Sequence, residues 1–405
     1  MDRYNRIKGK LSEAGQIHLL RFYDKLSPEE QESLLDEIEK VNLDEIKSAA
    51  EKLLNPNPPA KAHIEPVPYD ILEEMEENQK RRYEQKGLDL IAGGRAAVVL
   101  LAGGQGTRLG HKGPKGTFDI GLPGHESLFE IQAKRLLKLQ ERTGTLLTWY
   151  IMTSPINDGE TRDFFESHDY FGYDPSLVTF FIQPTAPTLT PGGKVMLKSK
   201  SQLSLSPNGN GGVFSALKSS GALADMEKRG VKWVFLYNVD NAIIQIADPL
   251  FIGFAEEKDT SIATKSTAKR SPDEKVGVFC LMDGKPSVIE YSEMTQEERE
   301  HPHMTNAHIS IHLFKLAYLK DMSDKSLPYH FAHKAIPGID ENGIEMKPDQ
   351  PNGYKLEQFY FDLFPEADGI SVLQVPREKE FAPVKNRSGE DSPESARKMV
   401  MAFEK

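Results

Sequence analysis

Only one cysteine occurs in 405 residues, and that scarcity excludes a good deal. Cys280 has no partner in the chain, so neither an intrachain disulfide nor a multi-cysteine zinc site can form. Within Val278-Phe279-Cys280-Leu281-Met282 it reads as a small core residue. Long apolar runs are missing too. No stretch approaches the roughly 18 apolar residues of a membrane helix, and Met1-Asp2-Arg3-Tyr4-Asn5-Arg6 leads into no apolar signal core. A cytoplasmic protein without membrane contact is expected. Positive charge is in deficit: 50 basic side chains face 61 acidic ones, a net charge of −11. That argues against a broad nucleic-acid surface but permits a local basic pocket. Internal repeats and low-complexity tracts are absent, and the sequence does not disclose an oligomeric state.

What is present is strongly patterned. Ser27-Pro28-Glu29-Glu30 is a capping box with proline at the first helical position, and Leu34, Leu35, Ile38 and Val41 follow at helical spacing. This apolar face is expected to pack on the rest of the protein. Asn55-Pro56-Asn57-Pro58-Pro59, with Pro66 and Pro68 beyond, predicts an extended crossing. The charge run from Glu73 to Arg82 predicts a solvated helix. From residue 95 onward, apolar runs suited to buried strands appear at Ala96–Leu101, Thr148–Met152, Val178–Ile182 and Trp233–Asn238. Helical patterns separate them, among them Leu128–Leu139 and Val213–Glu227. Strand and helix in alternation predict a parallel α/β sheet with ligands at the strands' carboxyl ends. The expected organisation is a helical N-terminal segment over 1–92, a nucleotide-binding domain over 93–325 whose pocket residues continue to about 365, and a C-terminal α+β region over 326–405.

The densest chemical signal is Val98-Val99-Leu100-Leu101-Ala102-Gly103-Gly104-Gln105-Gly106-Thr107-Arg108-Leu109-Gly110, followed by Pro114-Lys115-Gly116. A buried strand runs into a glycine turn, where backbone N–H groups can cradle an anion and a base can approach without meeting a Cβ. Neither common phosphate motif fits. A dinucleotide fingerprint would need glycine where Leu109 stands, and Gly193-Lys194 and Gly284-Lys285 are followed by Val195 and Pro286 rather than by the hydroxyl residue of a P-loop. What remains is a phosphate cradle of another kind with two cations, Arg108 offering a planar fork and Lys115 a point charge. Asp240 follows the strand ending near Val239, at the sheet edge where a hard carboxylate suits Mg²⁺. The plainer alternatives are a solvated glycine turn and an Asp capping the next segment.

The run Leu101–Gly110 with Pro114-Lys115-Gly116 resembles the signature of the UDP-sugar pyrophosphorylases, most closely those acting on UDP-N-acetylglucosamine. Further blocks carry the likeness along most of the chain, including Trp149–Ser154, Asn208–Gly212, Val239-Asp240-Asn241, Asp248-Pro249, Val276-Gly277-Val278, Glu290–Glu293, Lys347–Gly353, Phe361-Asp362 and Pro383-Val384-Lys385-Asn386. The resemblance implies a three-layer α/β/α nucleotide-binding domain, GT-A or Rossmann-like, that joins UTP to a sugar 1-phosphate and releases pyrophosphate. It implies Arg108, Lys115 and Lys385 as phosphate-handling catalytic residues and Asp240 as the Mg²⁺ ligand. Leu101, Ala102, Gly103, Gly104, Gln183 and Gly209 would take the nucleotide. Asn210, Gly277, Glu290, His308 and Phe361 would line the sugar pocket, and Asp362 is expected to make a structural hydrogen bond, with contact to the metal as the alternative.

The departures concern the sugar side. The acetylglucosamine-type relatives carry Asn-Ala-Gly-Asn-Ile where this chain has Thr305-Asn306-Ala307-His308-Ile309, which puts His308 in the place of a carboxamide. Gln183-Pro184-Thr185-Ala186-Pro187 also lacks the glycine that usually follows the glutamine. The sugar is therefore open: an N-acetylhexosamine first, glucose or several sugars as alternatives. His301, His303, His308 and His312 lack the companion ligands of a zinc site. Two rival readings are a glycosyltransferase, whose Asp-x-Asp motif is not matched by Val239-Asp240-Asn241-Ala242, and a non-catalytic UDP-sugar sensor.

Overall fold

The computed structural model describes residues 3–56, 62–291 and 293–403. Asn57, Pro58 and Pro59 of the proline-rich crossing, and Ser292, lie outside the described residues. The chain groups into two compact units, one of 1–61, 184–212 and 327–359, the other of 62–183, 213–326 and 360–405. This cuts across the consecutive stretches expected at 1–92, 93–325 and 326–405, because the chain leaves the larger unit after Gln183 and again near residue 326, then returns each time.

The larger unit is built on a sheet whose main path has eight strands: β1 (Tyr69–Ile71), β2 (Ala96–Leu101), β3 (Thr148–Thr153), β4 (Val178–Ile182), β5 (Trp233–Asn238), β6 (Ile262–Ala268), β7 (Asn306–Lys315) and β8 (Ile370–Gln374), in the order β1-β8-β6-β7-β5-β2-β3-β4. The four strands read from the sequence lie where expected. The sheet is not wholly parallel, however: β7 runs antiparallel to both β6 and β5. It follows a hairpin, Val278–Met282 with Lys285–Ile289, that returns the chain against its N-terminal end at Ala307.

Every residue of β2 and β3 is buried, as strands covered on both faces require. Val98, Leu100, Trp149, Ile151, Phe235 and Tyr237 pack into one core with the helices Glu77–Ala92, Leu128–Thr143 and Pro249–Lys258. On the other face Phe314 meets Phe214 and Tyr318 of the helices Val213–Ser219 and Leu316–Met322. The result is three layers. Of the charged run expected as a solvated helix, Glu77–Arg82 opens the helix Glu77–Ala92, while Glu73 and Glu74 lie in a short 3₁₀ turn before it. That helix crosses Pro249–Lys258 through two glycines: a Cβ on Gly87 would lie 1.8 Å from the Pro249 carbonyl oxygen, and one on Gly253 1.8 Å from that of Tyr83. The helix expected over Val213–Glu227 is two helices, broken where Gly221 takes φ +81°. Cys280 is sealed in its strand, and burial pushes its thiol up to about 12.

In the smaller unit, the helices Arg3–Glu13, Pro28–Glu39 and Leu43–Leu54 share a core with Ala186, Leu189, Val195, Leu197, Leu203 and Leu356 from short hairpins. The Ser27–Glu30 capping box is formed in both directions, and Leu34, Leu35 and Ile38 are buried in that core.

Candidate active site

The glycine loop leaves β2 and is held by its own backbone. Leu101 is the last strand residue, paired with Asn238 and Met152. Ala102 N–H donates to Met152 O at 2.8 Å, Gly106 N–H to Gly113 O at 3.0 Å and Lys115 N–H to Gly104 O at 3.0 Å. Asn157, fully buried, braces the turn from below: its Nδ2 donates to Ala102 O at 2.9 Å and Gly104 O at 3.3 Å, while its Oδ1 accepts from Ser154 N–H at 2.7 Å. Sequence reasoning missed Asn157, because a residue acting through carbonyls some 50 positions away has no local signature. Gly103 faces Gln183, whose Oε1 would lie 2.6 Å from a Cβ there, while Gly104 faces open space. Gln183 is anchored by its N–H to Thr153 O at 2.9 Å, just past β4. Arg108 is exposed and makes no ion pair among the described residues.

Two strand ends meet at the next feature. Lys115 Nζ lies 3.2 Å from Asp240 Oδ2, both side chains largely buried. Asp240 stands two residues past β5, and its neighbour β2 feeds the loop that carries Lys115. The C-terminal segment is bound to this corner: Val384 N–H donates to Asp240 O at 2.9 Å, Asn241 Nδ2 to Glu380 O at 2.7 Å, and Ala382 N–H to Asn241 Oδ1 at 2.9 Å. Those bonds deliver Lys385, whose exposed ammonium lies over the Phe381 ring. Beneath the segment Lys265, fully buried, bonds Asp248 at 2.7 Å and Glu380. Burial alone would discharge Lys265, but the two carboxylates outweigh it and hold its pKa above the ordinary value. Among the described residues no group of three or more His, Cys, Asp and Glu side chains is arranged to hold a metal.

The four expected sugar-pocket residues of the larger unit are brought together. A Cβ on Gly277 would lie 3.1 Å from Glu290 Oε1, His308 N–H donates to Gly277 O at 2.8 Å, and the His308 and Phe361 rings stand edge to face at 5.4 Å. The histidine group divides: His301 and His303 are exposed, while His308 and His312 touch, Nε2 to Nε2, at 3.1 Å. Burial, and then the charge of Lys385, pushes His308 down to about 3; burial, and then His308, lowers His312 as well. Both imidazoles are neutral near pH 7.

Gly209 and Asn210 belong to the smaller unit, where their turn is clamped by Gln358. Gln358 N–H donates to Asn208 O at 2.7 Å and Gly211 N–H to Gln358 O at 2.8 Å. Gly209 has φ +81°, and a Cβ there would lie 2.5 Å from Gln358 O, so both conformation and space require glycine.

Solved structures share this fold. The UDP-N-acetylglucosamine pyrophosphorylase of Trypanosoma brucei, solved with an inhibitor, superposes with a TM-score of 0.86 at 30% identity, over 99% of this chain and 85% of that one. The UDP-glucose pyrophosphorylase of Leishmania major shares the fold at a TM-score of 0.67 and 16% identity, over 89% of this chain and 77% of that one. The class is that of the UDP-sugar pyrophosphorylases. Residues 43–390 match the family described as UTP–glucose-1-phosphate uridylyltransferase. UDP-N-acetylglucosamine diphosphorylase 2 of Arabidopsis thaliana is 40% identical over 97% of this chain and 82% of its own length, and the UDP-N-acetylglucosamine pyrophosphorylase of Saccharomyces cerevisiae 40% identical over 95% and 87%. The chain belongs to this uridylyltransferase family. No described helix is long and apolar enough to cross a membrane.

Proposed function

We propose that this uridylyltransferase acts in the cytoplasm on an N-acetylhexosamine 1-phosphate, N-acetylglucosamine 1-phosphate foremost, and that its site residues divide by substrate. The observation that carries the division is the Lys115–Asp240 pair at 3.2 Å, beside the glycine turn and apart in sequence from the Gly277–Glu290–His308–Phe361 group. In the reaction a phosphate oxygen of the sugar 1-phosphate attacks the α-phosphorus of UTP, the bond to the β-phosphate oxygen breaks, and pyrophosphate leaves. Positioning and charge neutralisation suffice, without a covalent enzyme intermediate. Leu101, Ala102, Gly103 and Gly104 give the base a flat backbone, and the Gln183 amide can both donate to and accept from its edge. The family resemblance assigns Gly209 to the nucleotide and Asn210 to the sugar. Arg108 and Lys115 neutralise the departing pyrophosphate, and Lys385 braces the transferring phosphate.

A single carboxylate such as Asp240 fits Mg²⁺, which commonly takes one or two protein carboxylates and completes its shell from phosphate oxygens and water. Asp240 would hold the ion, which when bound would neutralise phosphate charge. The relatives' names favour the N-acetylated sugar, and the family description keeps glucose 1-phosphate in the test. Pyrophosphate release from UTP with Mg²⁺ and each of N-acetylglucosamine, N-acetylgalactosamine, glucose and galactose 1-phosphates decides the matter. Release with an N-acetylhexosamine 1-phosphate at the highest kcat/KM is expected. Preference for glucose 1-phosphate would overturn the sugar assignment.

A further inference from the structure

His308 and His312 are four residues apart on one strand, where a regular rise of roughly 3.3 Å per residue would separate them by about 13 Å. Their Nε2 atoms are instead 3.1 Å apart. The cause is a β-bulge: the pairing of β6 with β7 jumps from Lys265↔Ile311 to Ser266↔His308, and Ser310 takes φ +57°. A non-glycine residue in that region is strained, and bulges are features that re-aim side chains beside functional sites. Here the bulge folds His308 back over His312.

His312 is fully buried among the rings of Phe279, Phe314, Tyr360 and Phe364. A hydrocarbon would fill that box at lower desolvation cost. The Nδ1 atom of His312 is buried without a hydrogen-bond partner, whereas its Nε2 has two within reach, His308 Nε2 and the Tyr360 hydroxyl at 3.0 Å. An orphaned buried N–H is costlier than an orphaned lone pair, so the proton belongs on Nε2. His312 Nε2–H then lies between the Tyr360 hydroxyl at 3.0 Å and His308 Nε2 at 3.1 Å, and a second N–H cannot face it at that distance, so the only proton of neutral His308 falls on Nδ1, with the Tyr360 hydroxyl, 3.5 Å from His308 Nε2, a further possible donor to that lone pair. That atom has no hydrogen-bond partner among the described residues and is not among the sealed atoms, and its residue bonds Gly277, beside Glu290, and meets the Phe361 ring.

We propose that His312 is a positioning residue: it fixes His308 as an Nδ1–H donor aimed at an acceptor oxygen of the sugar. The assignment of that oxygen to a sugar rests on the function proposed above; the imidazole pair does not.

Long-range ¹H–¹⁵N spectra of the ¹⁵N-histidine-labelled chain, with His308 assigned through His308→Gln, test the pair without a second variant. A single Nδ1–H tautomer at His308 is expected; an Nε2–H tautomer or an even mixture would overturn the proposal. His312→Phe, which fills the ring box, should turn His308 into a tautomer mixture. It should also raise KM for the sugar 1-phosphate about tenfold, the size of one neutral hydrogen bond, and leave KM for UTP unchanged. His312→Gln, which keeps a side-chain N–H, should restore most of both. A His312→Phe enzyme with unaltered sugar KM would overturn the link to the sugar. Absence of turnover with every sugar 1-phosphate in the wild type would defeat the functional reading instead, and the spectra would still decide the pair.

Discussion

The proposed phosphate end and the proposed sugar end are made by different means. Gly103, Gly104 and Lys115 arise within fifteen residues of one strand end, and Asp240, which Lys115 meets at 3.2 Å, stands at the end of the neighbouring parallel strand. Most of that geometry is backbone, so it is dictated locally. The Gly277, Glu290, His308 and Phe361 group comes from a hairpin, a bulged antiparallel strand and a distant turn, and it exists only once the sheet has closed.

Breaking the phosphate end should have the largest effect. Lys115→Ala is expected to lower kcat about a thousandfold or more, the loss typical of a preorganised charge at a transition state, with the thermal transition nearly unmoved. Near-normal pyrophosphate release would remove Lys115 from the chemistry. Lys265→Met strikes the support of the same corner: it leaves Asp248 and Glu380 buried without their cation, and urea unfolding should show a loss of about 3–5 kcal/mol. An unchanged midpoint would mean that the segment carrying Lys385 is held otherwise. Gly103→Ala separates fold from recognition. The new Cβ displaces only the flexible end of Gln183, so stability should hold, while KM for UTP should rise about tenfold.

A pH slope belongs to the sugar end. Folding depresses the pKa of His308 from 6.5 to about 3 and lowers that of His312, so between those values the unfolded chain binds more protons than the folded one. Their contribution to stability is complete above about pH 6.5 and shrinks as pH falls toward 3. Thermal transitions recorded from pH 7 to pH 4 should decline, and His312→Phe should flatten the decline; an equal slope in the variant would contradict it.

This contrast also explains what could be read from the chain. The strands Ala96–Leu101 and Trp233–Asn238 and the Ser27 capping box were legible because short-range pattern decides them. The antiparallel course of Asn306–Lys315, its bulge at Ser310 and the brace from Asn157 were not, since each depends on partners remote in sequence. Family resemblance brought Gly277, Glu290, His308 and Phe361 into view without showing that they touch. His312, visible only as one of four clustered histidines, acquired a reason through its 3.1 Å contact with His308.

The most direct test of the division is two-substrate steady-state kinetics of Glu290→Ala. KM for the sugar 1-phosphate should rise about tenfold or more, with KM for UTP held within about twofold of the wild type, as expected when one polar contact to a single substrate is lost. An equal rise in both constants would show that the two ends are not separate, and would contradict it.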